Sequence, residues 1–505
     1  MRVVLVVPNF RWAEGADPNT LWHYIPYNLC LLAAMVRDIC DVQIIDANQE
    51  NMSVARFSQT ICDINPDVVG ITVLMDEYAE AGHICAHLAK AVDWDITTVM
   101  GGVYATTNSI RVMEDDNIDY AVVGEGEYIF RDLIGYLMGK KTRPANGICY
   151  REDGLIHNIE HVRFIHDLDE LPFPAYDLID FSKYSNSAAR KSVDAPRAYP
   201  YARVITSRGC PFNCIFCQVG QISGKRFRGR SAGNVLDEIQ TLKYKYRIRS
   251  IIFDDDNLLF DRARALEIFQ GMIKRGLAMP WVMIATAVFE LDEELLRVMR
   301  ASGCEYIDVA IETGTERILR QVIDKPLDFD YAKRMVCLAR DLGIYVTANV
   351  IVGFPTETWE EIRQTLKFVE TIDADYVKVF SAIPLRNTRL WDLCVKEGAF
   401  KKGFDADKVK WSTGQIETDE FSADELTILR AFEWDRINFA DPQKLQRTCA
   451  MMGVTEQEMH ATRKATLLNA LQLIIGVIVK RGNDGISPKI RDHAGCRTTT
   501  AQANA

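Results

Sequence analysis

Short apolar runs alternate with amphipathic stretches through the first 140 residues. Val3–Val7, Val42–Ile45, Val68–Val73, Thr97–Met100 and Tyr120–Val123 are compact, β-branched runs that predict strands. Leu29–Ile39 and Ala79–Val92 lie between them and carry helical spacing. Strands that read as continuous apolar runs, separated by helices, predict a parallel sheet covered on both faces. Gly101-Gly102 and Gly124-Glu125-Gly126 follow the fourth and fifth strands, at the carboxyl ends where open α/β sheets bind ligands. Glycines there admit a large flat ligand to the backbone, although tight turns alone would also explain them. A dinucleotide fingerprint needs G-x-G-x-x-G after the first strand. That turn reads Pro8-Asn9-Phe10-Arg11, and position 129 is Ile where a third glycine would complete the Gly124/Gly126 pair. NAD is disfavoured.

Residues 141–200 read as a connector. Gly147–Asn158 forms a hairpin around Glu152-Asp153-Gly154, then Leu171-Pro172-Phe173-Pro174 and Ala195-Pro196 punctuate an irregular path. A second alternating series fills 201–395. Its strands are Arg203–Thr206, Ser250–Phe253, Val282–Ala287, Tyr306–Ile311, Tyr345–Val352 and Tyr376–Phe380. Helices are predicted at Val235–Tyr246, Arg262–Arg275, Asp292–Ala301, Tyr331–Leu342 and Thr358–Thr371. The fold class is therefore α/β: a Rossmann-like doubly wound parallel sheet over 1–140, then a partial (β/α)6 TIM-like barrel. Catalytic groups are expected at the carboxyl ends of the barrel strands. Residues 396–490 turn helical through Ala423–Asn438, Pro442–Met451 and Glu456–Lys480, and 491–505 read as a disordered tail. The stretch around Trp434 reads as core packing. Leu467–Val479 is the longest apolar stretch, but Asn469 and Gln472 interrupt it, and a membrane span needs ~20 residues. It reads as a packed helix, with a lipid or a second protomer as alternative neighbours.

Charge and cysteine content narrow the function. Lys plus Arg number 59 against 70 Asp plus Glu, a net charge of −11 that argues against non-specific nucleic-acid binding. The 13 cysteines are an odd number scattered over 505 residues, a poor disulfide framework. The start, MRVVLVVPNF, lacks the pattern of a signal peptide. A reducing cytoplasm is expected, where spaced thiols mean metal or catalysis more often than bridges.

Cys210, Cys214 and Cys217 fall within eight residues, just after the first barrel strand. Structural zinc wants four protein ligands, and no nearby Cys or His completes this set. A catalytic zinc with three cysteines remains open. A cubane iron–sulfur cluster that leaves its fourth iron free suits the three thiolates better.

The run Arg208-Gly209-Cys210-Pro211-Phe212-Asn213-Cys214-Ile215-Phe216-Cys217 resembles the radical S-adenosylmethionine (SAM) superfamily. Supporting motifs are Asp254-Asp255-Asp256-Asn257, Ile311-Glu312-Thr313-Gly314 and Ile351-Val352-Gly353-Phe354-Pro355-Thr356-Glu357-Thr358. The N-terminal half resembles the cobalamin-binding domain that one large subgroup carries. Its marks are Pro26-Tyr27-Asn28-Leu29, Pro66-Asp67-Val68-Val69-Gly70-Ile71, Gly101-Gly102 and Gly124-Glu125-Gly126-Glu127.

The resemblance implies a 4Fe-4S cluster on Cys210, Cys214 and Cys217, with SAM chelating the open iron. One-electron reduction then splits SAM to methionine and a 5′-deoxyadenosyl radical. Such a cluster is oxygen-labile. Phe216, Asp254, Asp255, Asp256, Glu312 and Gly353 become candidate SAM contacts. A solvated turn is the bland reading of the Asp run, and a barrel ion pair that of Glu312. Thr72, Leu74, Met75, Tyr78, Gly101, Gly102, Gly124, Glu125 and Gly126 become candidate cobalamin contacts. Asp76-Glu77-Tyr78 stands where D-x-H-x-x-G would supply an axial imidazole, so cobalamin is expected base-off without a histidine ligand. Asn349 replaces the usual glycine of the fifth-strand motif. Pro384-Leu385-Arg386-Asn387 replaces a frequent Pro-Gly-Thr, which makes Arg386 a candidate specificity element for an anionic substrate group, or else a surface arginine.

The activity implied is a cobalamin-dependent radical SAM methyltransferase acting on carbon or phosphorus of a small molecule. Flavodoxin or ferredoxin would supply electrons; no catalytic residue is assigned. Cobalamin chemistry without net methylation (cyclisation, ring contraction or oxygenation) is the alternative on the same scaffold. A non-catalytic metal-binding protein is the alternative outside it.

Overall fold

The computed structural model describes residues 1–14, 24–159, 164–185, 196–411 and 413–483, with the side chains of the last helix described to Ile475. The expected tail at 491–505 lies outside these residues.

The first sheet has seven strands: β1 Arg2–Val7, β2 Asp41–Asp46, β3 Val68–Thr72, β4 Thr97–Gly101, β5 Tyr120–Val122, β6 Ile148–Glu152 and β7 Leu155–Ile159. Their order is β2-β1-β3-β4-β5-β6-β7. The first five pair in parallel, and every residue of β1 after Arg2 is buried, as expected of a strand covered on both faces. The chain winds outward in both directions from β1 and β3, which opens a crevice at their carboxyl ends. The parallel sheet expected over residues 1–140 is present, and the hairpin expected in the connector extends it. The hairpin β6–β7 continues the sheet antiparallel instead of standing apart in the connector. Strand β5 would otherwise offer an open edge, and the buried Ile148, Cys149 and Tyr150 of β6 close it.

The second sheet contains β8 Tyr201–Val204, β11 Ser250–Phe253, β12 Trp281–Thr286, β13 Cys304–Glu312, β14 Tyr345–Val352 and β15 Tyr376–Ser381. All neighbours are parallel, in sequential order from β8 to β15, so the barrel is open. Phe269 stacks on Trp281 with ring centres 4.9 Å apart, and Phe253 meets both edge-on. A two-stranded ribbon, β9 Ser207–Arg208 with β10 Arg228–Gly229, closes the base of the loop that carries the three cysteines.

The helix Ala423–Phe439 covers the free edge of β15. Asn438 bonds both backbone groups of Val377, at 2.7 and 2.9 Å, satisfying an edge that has no partner strand. Trp434 donates to the Tyr376 hydroxyl at 2.5 Å. The expectation of a packed Leu467–Val479 is not met along its described part. Ala470 is buried, but Leu468, Leu471, Leu473 and Ile475 are exposed. Among the described residues no helix is long and apolar enough to cross a membrane.

Candidate active site

The carboxyl ends of β1, β3, β4 and β5 face the ribbon and the start of the barrel across a cavity of about 290 Å³. Leu5, Gly70, Val99, Val122 and Phe130 give it an apolar floor that reaches between the strands. Ile205, Ser207, Arg208, Asp254 and Asp256 form the opposite wall. Two glycines serve different ends. Gly102 has φ +97°, and a Cβ there would meet the Val73 carbonyl oxygen at 2.5 Å, so the chain path itself demands glycine. At Gly101 the nearest atom to an added Cβ is 3.9 Å away, and the missing side chain simply leaves cavity.

Buried ion pairs clamp the two walls together. Arg228 makes a fork to Glu125 at 2.7 and 2.9 Å. Arg208 pairs with Glu127 and lies 3.3 Å from Glu125. Burial disfavours the Glu127 charge, yet Arg208 beside it holds the carboxyl below the usual range. Asn28 donates to Thr72 at 2.8 Å on the cavity rim.

The cysteine loop continues from Arg208. Cys210 N–H donates to Gly224 O at 3.2 Å, and the Ile215 N–H donates to Ile323 O at 3.2 Å, so the loop is pinned at both ends. The Asn257 amide approaches Cys210 Sγ at 3.9 Å. Burial pushes the Cys214 thiol up to about 12 and Cys217 up to about 11. Thiolates there need a cation to hold them. Among the described residues no three His, Cys, Asp or Glu side chains converge as ligands of a single metal ion.

Seven of the nine cobalamin candidates line the cavity: Thr72, Leu74, Gly101, Gly102, Gly124, Glu125 and Gly126. Glu125 does so with its carboxylate committed to Arg228. Met75 and Tyr78 fall outside the lining. Tyr78 stacks on Phe10 with ring centres 3.9 Å apart, and Met75 packs on the N-terminal core.

The three aspartates part ways. Asp254 pairs with Arg203 at 2.8 Å, Asp256 accepts from Gly209 N–H at 2.8 Å, and both line the cavity. Asp255 is turned inward to the Thr206 N–H and hydroxyl and the Ser207 hydroxyl, at 2.9, 2.7 and 2.6 Å. Burial pushes it up to about 6. It braces the turn that leads into the ribbon.

Glu312 forms the ion pair with Lys325, at 2.7 Å. Gly353 has φ +88°, and the atom an added Cβ would strike is Leu426 Cδ1, at 2.4 Å. The close approach it allows is thus to the C-terminal helix. Phe216 is half-buried with Phe354 6.4 Å away. Arg386 is spent between domains, bonding Asp407 at 2.6 Å and Asn108 at 2.7 Å, so it is neither a free anion receptor nor a bare surface arginine. Arg208, Arg228 and Glu127 carry the clamp, and no spacing in the chain marks those partners for one another.

Family models match both halves: the B12 binding domain over residues 21–134 and the Radical SAM superfamily over 204–369. A Pyrococcus horikoshii protein named as an uncharacterized methyltransferase is 34% identical over 397 residues, covering 78% of this chain and 83% of its own length. The chain belongs to the cobalamin-binding radical SAM family. Two further relatives of this family member are 28% identical. The cytidylyl-2-hydroxyethylphosphonate methyltransferase of Streptomyces wedmorensis matches 74% of the chain and 75% of itself. The anaerobic magnesium-protoporphyrin IX monomethyl ester cyclase of Rubrivivax gelatinosus matches 84% and 75%. The fold of the radical SAM enzyme OxsB, solved with aqua-cobalamin and S-adenosylmethionine, superposes with a TM-score of 0.70 at 17% identity, over 97% of this chain and 82% of that one. The family's methyltransferase TsrM from Kitasatospora setae gives 0.62 at 19% identity, over 75% and 72%.

Proposed function

We propose that this protein is a cobalamin-dependent radical SAM methyltransferase acting on a small-molecule substrate. The observation that carries it is the shared wall: Arg208, two residues before Cys210, is ion-paired to the Gly124–Glu127 turn that bounds the cavity. The residues present fit the cofactors the family implies. Cys210, Cys214 and Cys217 would hold a 4Fe-4S cluster, and Asp254 and Asp256 would accept from the SAM ammonium. Gly101 and Gly126 leave room for a corrin face, and the apolar floor down to Phe130 suits its nucleotide tail. Glu127 Oε2, buried without a hydrogen bond, would accept from a corrin amide. Bound there, the cluster supplies the electron that cleaves SAM, and cobalamin supplies the methyl group. The chain's own part is to keep water out and to fix the cavity against the cysteine loop through Arg208 and Arg228. Asp76 already accepts from Asn108 at 2.8 Å, and the cavity lining holds no histidine that would offer cobalamin an imidazole.

Anaerobic reconstitution tests this. About four irons and one cobalamin per chain are expected, and with a methylatable substrate S-adenosylhomocysteine and 5′-deoxyadenosine form together with methylated product. A colourless, zinc-loaded protein would refute the reading. The cyclase relative supports a second reading, cobalamin chemistry without net methylation. It predicts deoxyadenosine without S-adenosylhomocysteine.

A further inference from the structure

Asn257 follows the carboxyl end of β11 and is 4% exposed. Its side-chain nitrogen carries two hydrogens, and two acceptors stand within reach of them. Glu290 Oε1 lies 3.0 Å away and Cys210 Sγ lies 3.9 Å away. The three partners come from three separate elements. Cys210 follows the ribbon strand β9, Asn257 follows β11, and Glu290 ends the single turn Val288–Glu290 after β12.

Glu290 decides which end of the amide faces the sulfur. A carboxylate and a thiolate both accept and neither donates, so an amide turned over would set its oxygen against two acceptors. With Glu290 in place one N–H goes to the carboxylate and the other is directed at Cys210. Aromatic rings beside each partner close this line in. Phe212, two residues after Cys210, meets Phe289, the neighbour of Glu290, with ring centres 5.1 Å apart. It also meets Phe260, three residues after Asn257, at 6.3 Å. A donor among such neighbours acts at low local dielectric, where its hydrogen bond is stronger than in water. Cys217 Sγ takes the backbone N–H of Val219 at 3.5 Å, a bond that no side-chain substitution removes. Asn257 offers the triplet a donor that substitution can take away.

We propose that Asn257 is a positioning residue that sets the reduction potential at the cysteine triplet, by donating a hydrogen bond to the Cys210 sulfur while Glu290 holds its amide in register. The proposal rests on the reading that the triplet holds a 4Fe-4S cluster. Reduction adds one electron, with no bond formed and no proton moved, and part of the added negative charge falls on the ligand sulfurs. A hydrogen bond to one of them is therefore stronger in the reduced form and raises the potential.

An EPR-monitored redox titration of anaerobically reconstituted protein, with dithionite as the reductant, tests this. It is run at about pH 8.5, where the Glu290 carboxyl, pushed up to about 7 by burial, is charged. Asn257→Leu keeps the side-chain volume and removes the donor. At a given potential its ratio of reduced to oxidised cluster should fall about three- to ten-fold, roughly 30 to 60 mV for a one-electron couple, with the iron content of the parent. A second measurement leaves Asn257 in place. Protein carrying nitrogen-15 in its asparagine side-chain amides should show a coupling of that nucleus to the reduced cluster in pulsed EPR. Asn213→Asp removes the other amide of the loop while keeping the acceptor for Lys225, and should leave the coupling unchanged. A purely structural role for Asn257 would move neither reading. A reduction equilibrium within about two-fold of the parent, or a labelled protein without the coupling, would overturn the proposal. If Asn257→Leu takes up no iron, the coupling alone decides. Parent protein that binds zinc, or fewer than about two irons per chain, would strike the cluster reading and this assignment with it.

Discussion

Arg208 and Glu127 lie 81 positions apart and meet in a buried ion pair that joins the two α/β halves. Arg228 and Glu125 form a second pair beside them. Glu125 caps and Glu127 opens the helix Gly126–Leu137 that follows β5, and both guanidiniums come from the ribbon that frames the cysteine loop. The distance between the cavity's glycine wall and the cysteines is therefore set by charge pairs out of reach of water, where losing one partner strands the other.

Glu127→Ala leaves Arg208 with only the 3.3 Å contact to Glu125. A loss of ~3 kcal/mol in stability is expected, read by urea denaturation of the cofactor-free protein, together with weaker cobalamin uptake. A change below about 0.5 kcal/mol would show that other contacts hold the halves together.

Gly101→Val separates cavity from fold. The backbone at Gly101 needs no left-handed conformation and has room for a side chain. The variant should unfold within about 0.5 kcal/mol of the parent yet bind cobalamin at least ten-fold more weakly, as seen by retention of the coloured cofactor on gel filtration. Unimpaired retention would place cobalamin elsewhere.

Cys214→Ala removes a thiol that burial holds largely protonated in the absence of metal. After anaerobic reconstitution its iron content should drop from about four per chain to below about one, with the loss of reductive SAM cleavage. Iron near the parent value would mean the triplet is not the ligand set.

Glu361 closes the capping box of the helix Trp359–Thr371 and pairs with Arg317. The Arg317 hydrogen bond holds its carboxyl down at about 2, against an ordinary 4.5. A lowered carboxylate stabilises the fold fully above its unfolded value and loses that contribution as pH falls through its folded value. Glu361→Gln should therefore cost ~1 kcal/mol at pH 7, less than a dry pair because Arg317 is partly solvated, and the gap should close between about pH 4.5 and 2. Thermal unfolding across that range reads it. A gap that persists at pH 2 would assign the effect to shape and not charge.

The sequence alone determined the elements and the chemistry on offer. Apolar runs such as Val3–Val7 and Tyr345–Val352 place strands because burial on both faces needs nothing beyond the local run. Three thiols in eight residues stand out as candidate ligands because loop spacing is itself local, and the glycines after β4 and β5 foretell the cavity. Tertiary structure decided which charged groups are free. Asp255 went to the Thr206–Ser207 turn, Glu312 to Lys325, Arg386 to Asp407, and Glu125 to Arg228. An ion pair exists only where two side chains meet in space, and a buried carboxylate takes whichever cation the fold brings to it. Residues adjacent in the chain, like the three aspartates, therefore end in different environments. The same limit hid the docking of the expected hairpin on β5 and the exposed face of the last helix, since neither an open sheet edge nor a missing packing partner leaves a mark on the local pattern.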